Sequence, residues 1–223
     1  MSTTSTLPTS RDFVTQLLNS LPSLPPHNAE SNPLSDAPES VKKQLLSLQV
    51  LFPNEFLPAL DLLDRRLITR FLIGNLETTP TADKDTAAQK AVDTVHYVRS
   101  AQQRPSRYST SYDGVASYEV RLEAWNCTCP VFAFAAFPSV HPEPVVPVCN
   151  GQDMGSRQIN ALTTGVTEWT FGGMSLGEGL PPVCKHLLAC VLVARCEGVF
   201  GEYVEEKSVS VETAAGWAAG WGD

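Results

Sequence analysis

Residues 125–134, WNCTCPVFAF, and residues 184–196, CKHLLACVLVARC, contain most of the chemistry that this chain encodes. Three of the five thiols in these stretches, together with their one imidazole, form two closely spaced pairs, at Cys127, Cys129, Cys184 and His186. Such a set can complete the tetrahedral coordination of Zn²⁺ and leaves no coordination position open for a substrate. The pattern therefore predicts one structural zinc ion per chain.

The local sequence indicates how the two pairs reach one ion. Cys127 and Cys129 point the same way in an extended or tightly turned backbone. Cys184 and His186 would diverge on a regular helix, so we expect Cys184 just before a helix and His186 in its first turn. The N-terminus of that helix also favours the negative charge of thiolates. Zinc would then connect the strand that ends at Trp125 to this helix.

Spacing alone leaves other interpretations of these residues open. The four side chains could instead be core residues, since free cysteines pack as small hydrophobes. The six cysteines could also form three disulfides, although we expect an intracellular chain with reduced thiols. His141 and Cys149 lie between the two pairs and could replace a ligand. Cys190 and Cys196 stand among apolar residues, which predicts core packing.

A catalytic interpretation makes Cys184 a nucleophile of low pKa with His186 as its base. Side chains two residues apart on a helix diverge, however, and the first cysteine pair would have no role. The sequence also has no glycine-rich phosphate loop of the GxxxxGK[ST] type. We therefore expect that the protein is not an enzyme and takes no small-molecule substrate.

Composition narrows the class of partner. The 223 residues carry a formal net charge of −8, whereas proteins that bind phosphate backbones usually present a basic surface. No apolar run reaches the length needed to cross a bilayer, and the first residues lack the pattern of a secretion signal. These features favour protein partners over naked DNA or a membrane.

Hydrophobic periodicity predicts an α+β fold in which N-terminal helices, a small antiparallel sheet and a Cys₃His zinc module are closed by a C-terminal helix. Residues 1–38 are predicted as a flexible segment whose helix at 12–21 is either marginal or a docking peptide. The domain follows at 39–200, and its zinc module at 115–197 is interrupted by a long irregular insertion at 138–182. Residues 201–223 are predicted as an acidic disordered tail.

Individual elements within the domain follow from the same patterns. The sequence predicts helices at 41–51, at 55–63 with Asn54 as cap, at 131–137 and at 184–196, and strands at 67–73, 91–98, 118–125 and 166–171.

Three segments resemble the SWIM zinc-finger family, whose pattern is CxC, a variable spacer and CxH, and within it the SWIM-domain subunits of Shu-type complexes. Residues 125–134 resemble that family's cysteine pair and the Pro-x-Phe-x-Phe segment after it. Residues 184–189, CKHLLA, match its extended CxHxxA pattern, and residues 59–65, ALDLLDR, resemble its helix before the first strand. The spacer between the pairs is far longer here than is usual in this family.

The resemblance implies a nuclear accessory subunit without catalysis of its own. Members of this kind pair with RecA-like recombinase paralogues and promote recombinase filament assembly on single-stranded DNA during homologous recombination repair. Their own contact with single-stranded DNA would be weak or indirect. The resemblance also implies zinc binding by the four ligands above, and it gives Ala189 the role of close packing against the module or a partner.

Direct DNA binding by a SWIM finger, in transcription or chromatin regulation, is the alternative function. It would require the concentration of positive charge in this chain to form one surface. The best candidates are Arg65, Arg66, Arg70 and Arg121, and the wider set adds Arg99, Arg104 and Arg107.

Overall fold

The computed structural model describes residues 7–21, 37–74, 93–101, 117–137, 169–175 and 179–221. These residues form an α+β fold, as predicted. Its helices are α1 (Ser10–Asn19), α2 (Glu39–Leu51), α3 (Phe56–Asp64), α4 (Pro130–Ala136), α5 (Lys185–Arg195), α6 (Glu197–Phe200) and α7 (Val211–Ala218), with a 3-10 turn at Gly201–Tyr203. Its strands are β1 (Ile68–Ile73), β2 (Asp93–Arg99), β3 (Ser117–Arg121), β4 (Asn126–Cys127) and β5 (Val204–Val209).

The five strands form one mixed sheet in the order β4-β3-β2-β1-β5. The first four pair antiparallel in chain order, as hairpin-type neighbours do. The predicted antiparallel sheet is present in these four strands, and one edge departs from the prediction, because β5 pairs in parallel with β1. The helices α5 and α6 separate β5 from the other strands along the chain, and such a crossover lets a strand return in the same direction.

Helix α5 lies at the centre of the molecule. Every residue from 186 to 193 is buried, and the helix packs against α3 on one side and against β3 and β4 on the other. A helix that is apolar all round is stable only when it is covered all round. Each fully buried leucine here, such as Leu188 or Leu192, contributes about 1.5–3 kcal/mol relative to exposure.

The N-terminal helix belongs to the core, so the prediction of a flexible N-terminal segment was wrong for residues 7–21. Val14 and Leu18 of α1 are buried in the main hydrophobic cluster. Arg11 donates hydrogen bonds from Nε to the Phe171 carbonyl oxygen at 2.6 Å and from Nη1 to the Ser175 carbonyl oxygen at 2.8 Å. The helix packs against its own chain, because its apolar stripe is buried in the core.

The described end of the long insertion is also packed. Phe171 is fully buried, and Gly173 adopts a φ of 51° where an added Cβ would lie 2.2 Å from the Glu123 carbonyl oxygen. Only glycine fits such a close approach of two backbones. Residues 169–171 form no strand, contrary to the prediction, while 166–168 and most of the insertion lie outside the described residues.

The C-terminal residues are ordered, so the prediction of a disordered tail was wrong for residues 201–221. They form the 3-10 turn, β5 and α7. The ladder with β1 gives β5 its backbone partners, and Trp217 of α7 packs on Phe71 and Tyr97 with ring centroids 5.0 Å apart in each case. Tertiary pairing here outweighs a composition that is typical of disorder.

Two predicted boundaries shift. Helix α3 begins at Phe56, after Glu55, and no side chain caps it, so Asn54 is not the cap. The strand predicted at 118–125 divides into β3, a turn over 122–125 and β4. The remaining predicted strands and helices of the described ranges are present. Within those ranges, none of the helices is long and apolar enough to cross a membrane.

Candidate metal centre

Four potential ligand atoms, one from each predicted residue, meet in the interior. The ligand atoms of Cys127, Cys129, Cys184 and His186 all lie within 4.8 Å of one another, and all four side chains are buried. Nδ1 of His186 lies 3.8 Å from Sγ of Cys127 and 3.9 Å from Sγ of Cys184. The structure thus unites two pairs that are far apart in sequence.

A short hairpin presents the first pair. Strands β3 and β4 pair Val120 with Cys127, and the turn between them contains Trp125 at a φ of 50°. Beyond β4 the backbone N–H of Thr128 donates to the Glu119 carbonyl oxygen at 3.0 Å, which fixes the exit of the chain from the hairpin. Cys129 has an extended backbone, with φ −73° and ψ 148°, and both thiols reach the same buried group, as the two-residue spacing predicted.

Each ligand pair contains one cysteine that caps the start of a helix. Cys129 is the N-cap of α4, and its Sγ accepts a hydrogen bond from the Phe132 N–H at 3.3 Å. Cys184 is the N-cap of α5, and its Sγ accepts from the Leu187 N–H at 3.5 Å. The predicted place of Cys184 is confirmed, whereas the cap at Cys129 was not foreseen. Two helix N-termini therefore direct N–H groups at a site suited to negative charge.

The pKa values of the three thiols are strongly interdependent. Hydrogen bonding with Cys127 and then Cys184 lowers the pKa of Cys129. Hydrogen bonding with Cys129 and then Cys184, together with burial, raises the pKa of Cys127. Hydrogen bonding with Cys127 lowers the pKa of Cys184, but hydrogen bonding with Cys129 and burial together outweigh it and raise this pKa to about 12. Without a cation, the buried cluster therefore favours one thiolate over three.

Several residues outside the predicted set support the centre. The Trp125 indole donates from Nε1 to the Pro182 carbonyl oxygen at 2.8 Å and packs on Phe171 with centroids 4.6 Å apart. The Tyr118 ring lies 4.7 Å from the His186 ring. Trp125 therefore joins the segments that lead into the two ligand pairs. Its position beside the first cysteine pair was the one available signal, and no local pattern marks Tyr118.

The other described residues that were considered for the site are buried core residues. All five described cysteines are free, and the buried Cys190 and Cys196 pack in the main hydrophobic cluster as predicted. His141 and Cys149 lie outside the described residues. Ala189 is fully buried in α5, so its side chain serves packing within the chain and not contact with a partner.

The candidate DNA-binding arginines do not form one cluster. Arg70 is largely buried and forms ion pairs with Glu206 and Glu197, and Arg121 pairs with Glu119 at 2.6 Å. Hydrogen bonding to Glu119 raises the pKa of Arg121.

The two exposed candidates lie at the other end of the sheet. Arg65 pairs with Asp61 at 3.5 Å, and Arg66 lies 5.8 Å from the Tyr203 ring centroid. Arg99 donates to the Arg66 carbonyl oxygen at 3.1 Å. Because Arg99 faces Ser117, Arg121 lies about 13 Å further along β3 from this group.

Comparison of the sequence with protein-family models and with curated proteins found no match.

Proposed function

We propose that this chain is a non-catalytic accessory protein organised around one structural Zn²⁺ ion. The observation that carries the proposal is the buried Cys₃His group, whose ligand atoms all lie within 4.8 Å of one another. Tetrahedral zinc with bonds of about 2.3 Å to sulfur and 2.0 Å to nitrogen separates its sulfur and nitrogen ligands by about 3.5 Å. The two sulfur–nitrogen distances of 3.8 and 3.9 Å are close to that value.

The donor set favours zinc over harder cations. Thiolates select soft or borderline metals, and an S₃N set is typical of structural zinc. A dication would also remove the conflict between the thiols, because it stabilises all three as thiolates. The Nε2 atom of His186 would then carry the proton, since Nδ1 faces the sulfur atoms.

Two features support the absence of catalysis at this centre. Protein side chains supply all four ligands, so the coordination shell has no position for substrate or water. Cys184 is 1% exposed and His186 is 4% exposed, which leaves the nucleophile and base of the catalytic alternative out of reach of solvent.

The SWIM-type resemblance supplies the more specific proposal. On this view the chain is a nuclear subunit of a Shu-type complex that pairs with a RecA-like recombinase paralogue in homologous recombination repair. The net charge of −8 supports work through protein contacts. A surface of suitable chemistry lies beside the metal centre, where Val131 and Phe134 of α4 and Phe137 directly after it are exposed. Exposed aromatic side chains of this kind are enriched at protein interfaces.

Metal analysis of the purified chain tests the first part of the proposal. We expect one zinc ion per chain, removed by a chelator together with the folded near-ultraviolet circular dichroism signal. A folded, monodisperse chain that contains no metal after expression in zinc-supplemented medium would contradict it.

Co-purification with individual RecA-like paralogues tests the second part. Phe134→Asp should abolish capture, whereas Leu46→Asp, at an exposed apolar residue of α2, should not. If both variants were still captured, α4 would not be the contact surface. If the wild type bound none of the paralogues, the proposed pairing would be wrong.

Among the described residues, the exposed group of Arg65, Arg66 and Arg99 is what supports direct DNA binding, while Arg104 and Arg107 lie outside them. If this alternative holds, the isolated protein should bind single-stranded DNA with a steep salt dependence. Replacing these three arginines by glutamine should then reduce the slope. Arg121→Gln is the matched control, since that arginine is engaged by Glu119.

A further inference from the structure

Strand β5 leaves one edge of the sheet open. It is the last strand in the order β4-β3-β2-β1-β5, and among the described residues no strand pairs with its outer side. Residues 205–208 are exposed. Helix α7 contacts β1, one strand inward, so it does not lie beyond the edge. An exposed edge of this kind is a template for another strand.

A second copy of β5 can extend the sheet only in certain registers. When a two-fold axis perpendicular to the sheet relates two antiparallel copies of β5, the same residue of each copy points to the same face of the extended sheet. Since side chains alternate between faces, each residue must then oppose one an even number of positions away. The axis must therefore pass through a residue and not between two residues.

Among the registers centred on residues 205–207, charge favours one. With the axis at Glu206, Glu205 of each copy lies opposite Lys207 of the partner subunit, on the sheet face that carries Phe71. With the axis at Lys207 the two lysines face each other, and with the axis at Glu205 the two Glu205 side chains do so. Opposite charges directly across an antiparallel pair stabilise it, and like charges destabilise it.

The negative charge of Glu206, the residue on the axis, is also compensated. Two Glu206 side chains would approach one another there, but Arg70 forms an ion pair with Glu206 within each copy. Arg70 has a side chain that is only 17% exposed, so this cation is held in place beside the edge. Lys207 has no comparable fixed anion, because its partner Glu205 is 59% exposed at 3.2 Å.

We propose that this chain forms a symmetric dimer in which the β5 strands of two copies pair antiparallel about Glu206. Charges on an edge strand usually prevent pairing. In this strand they oppose pairing about Glu205 or Lys207, whereas about Glu206 they are complementary to themselves. Two six-residue edges bury a small area, so the dimer is weak. Strand β5 is the edge strand opposite β4, which carries the metal ligand Cys127, so the proposed dimer does not depend on the proposed function.

Charge reversal gives a sharp test. Glu205→Lys creates Lys–Lys pairs across the axis, and Lys207→Glu creates Glu–Glu pairs, so each variant alone should have a dimer dissociation constant at least about tenfold higher than the wild type. An equimolar mixture of the two variants should dimerise, because both of its cross-strand pairs are of opposite charge. The double variant Glu205→Lys/Lys207→Glu should also regain self-association.

Sedimentation velocity of the full zinc-loaded chain, over concentrations up to about 0.5 mM, measures all five samples. Glu212→Lys is the control: it reverses an exposed charge on α7, outside β5, and should leave the dimer unchanged. A monomeric wild type at the highest concentration overturns the proposal. Dimerisation that is insensitive to the single reversals, or not restored in the mixture, overturns the β5 register.

Discussion

The two faces of the sheet are stabilised in different ways. On one face Ile68, Val98 and Val120 join the main hydrophobic cluster around α5, which also contains the cysteine ligands. On the other face Phe71, Val95 and Tyr97 form a small separate cluster, against which Trp217 of α7 packs.

The difference lies in how each covering helix is held. Eight consecutive residues of α5 are buried, whereas α7 has no buried residue. The first face combines extensive apolar burial with four side chains that one ion can connect, and the second depends mainly on one indole. Damage to the first face should therefore unfold the molecule, while damage to the second should only weaken it.

The largest effect is expected at the metal ligands. Cys127→Ala or His186→Ala should remove bound zinc and lower the free energy of unfolding by about 5 kcal/mol or more, because metal-binding free energy is folding free energy in such centres. Metal analysis and urea unfolding measure both quantities. Cys190→Ala, a buried non-ligand cysteine on α5, should retain zinc. Unchanged unfolding of both ligand variants would refute a structural metal.

Apolar burial around α5 should come second. Leu192→Ala leaves a cavity in a fully buried position and should cost about 3 kcal/mol while the zinc content stays at one per chain. Leu46→Ala, on the exposed side of α2, should change stability by less than about 0.5 kcal/mol. If the two variants were equally stable, α5 would not be the centre of the core.

Acidification should weaken the first face through His96. Burial, and then the charge of Arg70, lower the pKa of His96 to about 4, and both ring nitrogens lack a hydrogen-bond partner within the described part of the chain. Between about pH 6.5 and pH 4 the unfolded chain binds a proton that the folded chain does not, so stability falls as pH falls through this window.

His96→Leu should remove this loss, which amounts to about 2 kcal/mol at pH 5. The informative quantity is the difference in unfolding free energy between variant and wild type at pH 7 and at pH 5, since metal release affects both proteins. A difference that does not grow toward pH 5 would mean that His96 is protonated in the fold.

The smallest effect is expected on the second face. Trp217→Ala should lower stability by about 1–2 kcal/mol and should leave the zinc content unchanged, because the indole is only partly buried and contacts no part of the metal centre. Trp221→Ala, at an exposed position of the same segment, should have no measurable effect. Zinc loss in Trp217→Ala would show that the two faces are coupled.

Much of the first face could be predicted from sequence. The ligand spacing and the helix start at Cys184 are local properties, and the unbroken apolar run of α5 requires burial whatever surrounds it. The β-branched and aromatic composition of residues 67–73 predicted β1, and alternation over residues 91–98 predicted β2; both are local properties as well. Where prediction failed, long-range contacts decide: α1 is ordered by the carbonyl groups that Arg11 binds, and β5 by its ladder with β1.

The sequence by itself therefore determined the α+β class, the four ligand candidates and the central helix, because each of these follows from residue type and short-range spacing. The tertiary structure alone decided that the two ligand pairs converge, that Ala189 faces inward, and that Arg70 and Arg121 are engaged by acidic partners. It also decided that a segment of disorder-like composition completes the sheet. These outcomes depend on backbone and side-chain partners distant along the chain, and no local pattern encodes which distant segment will supply them.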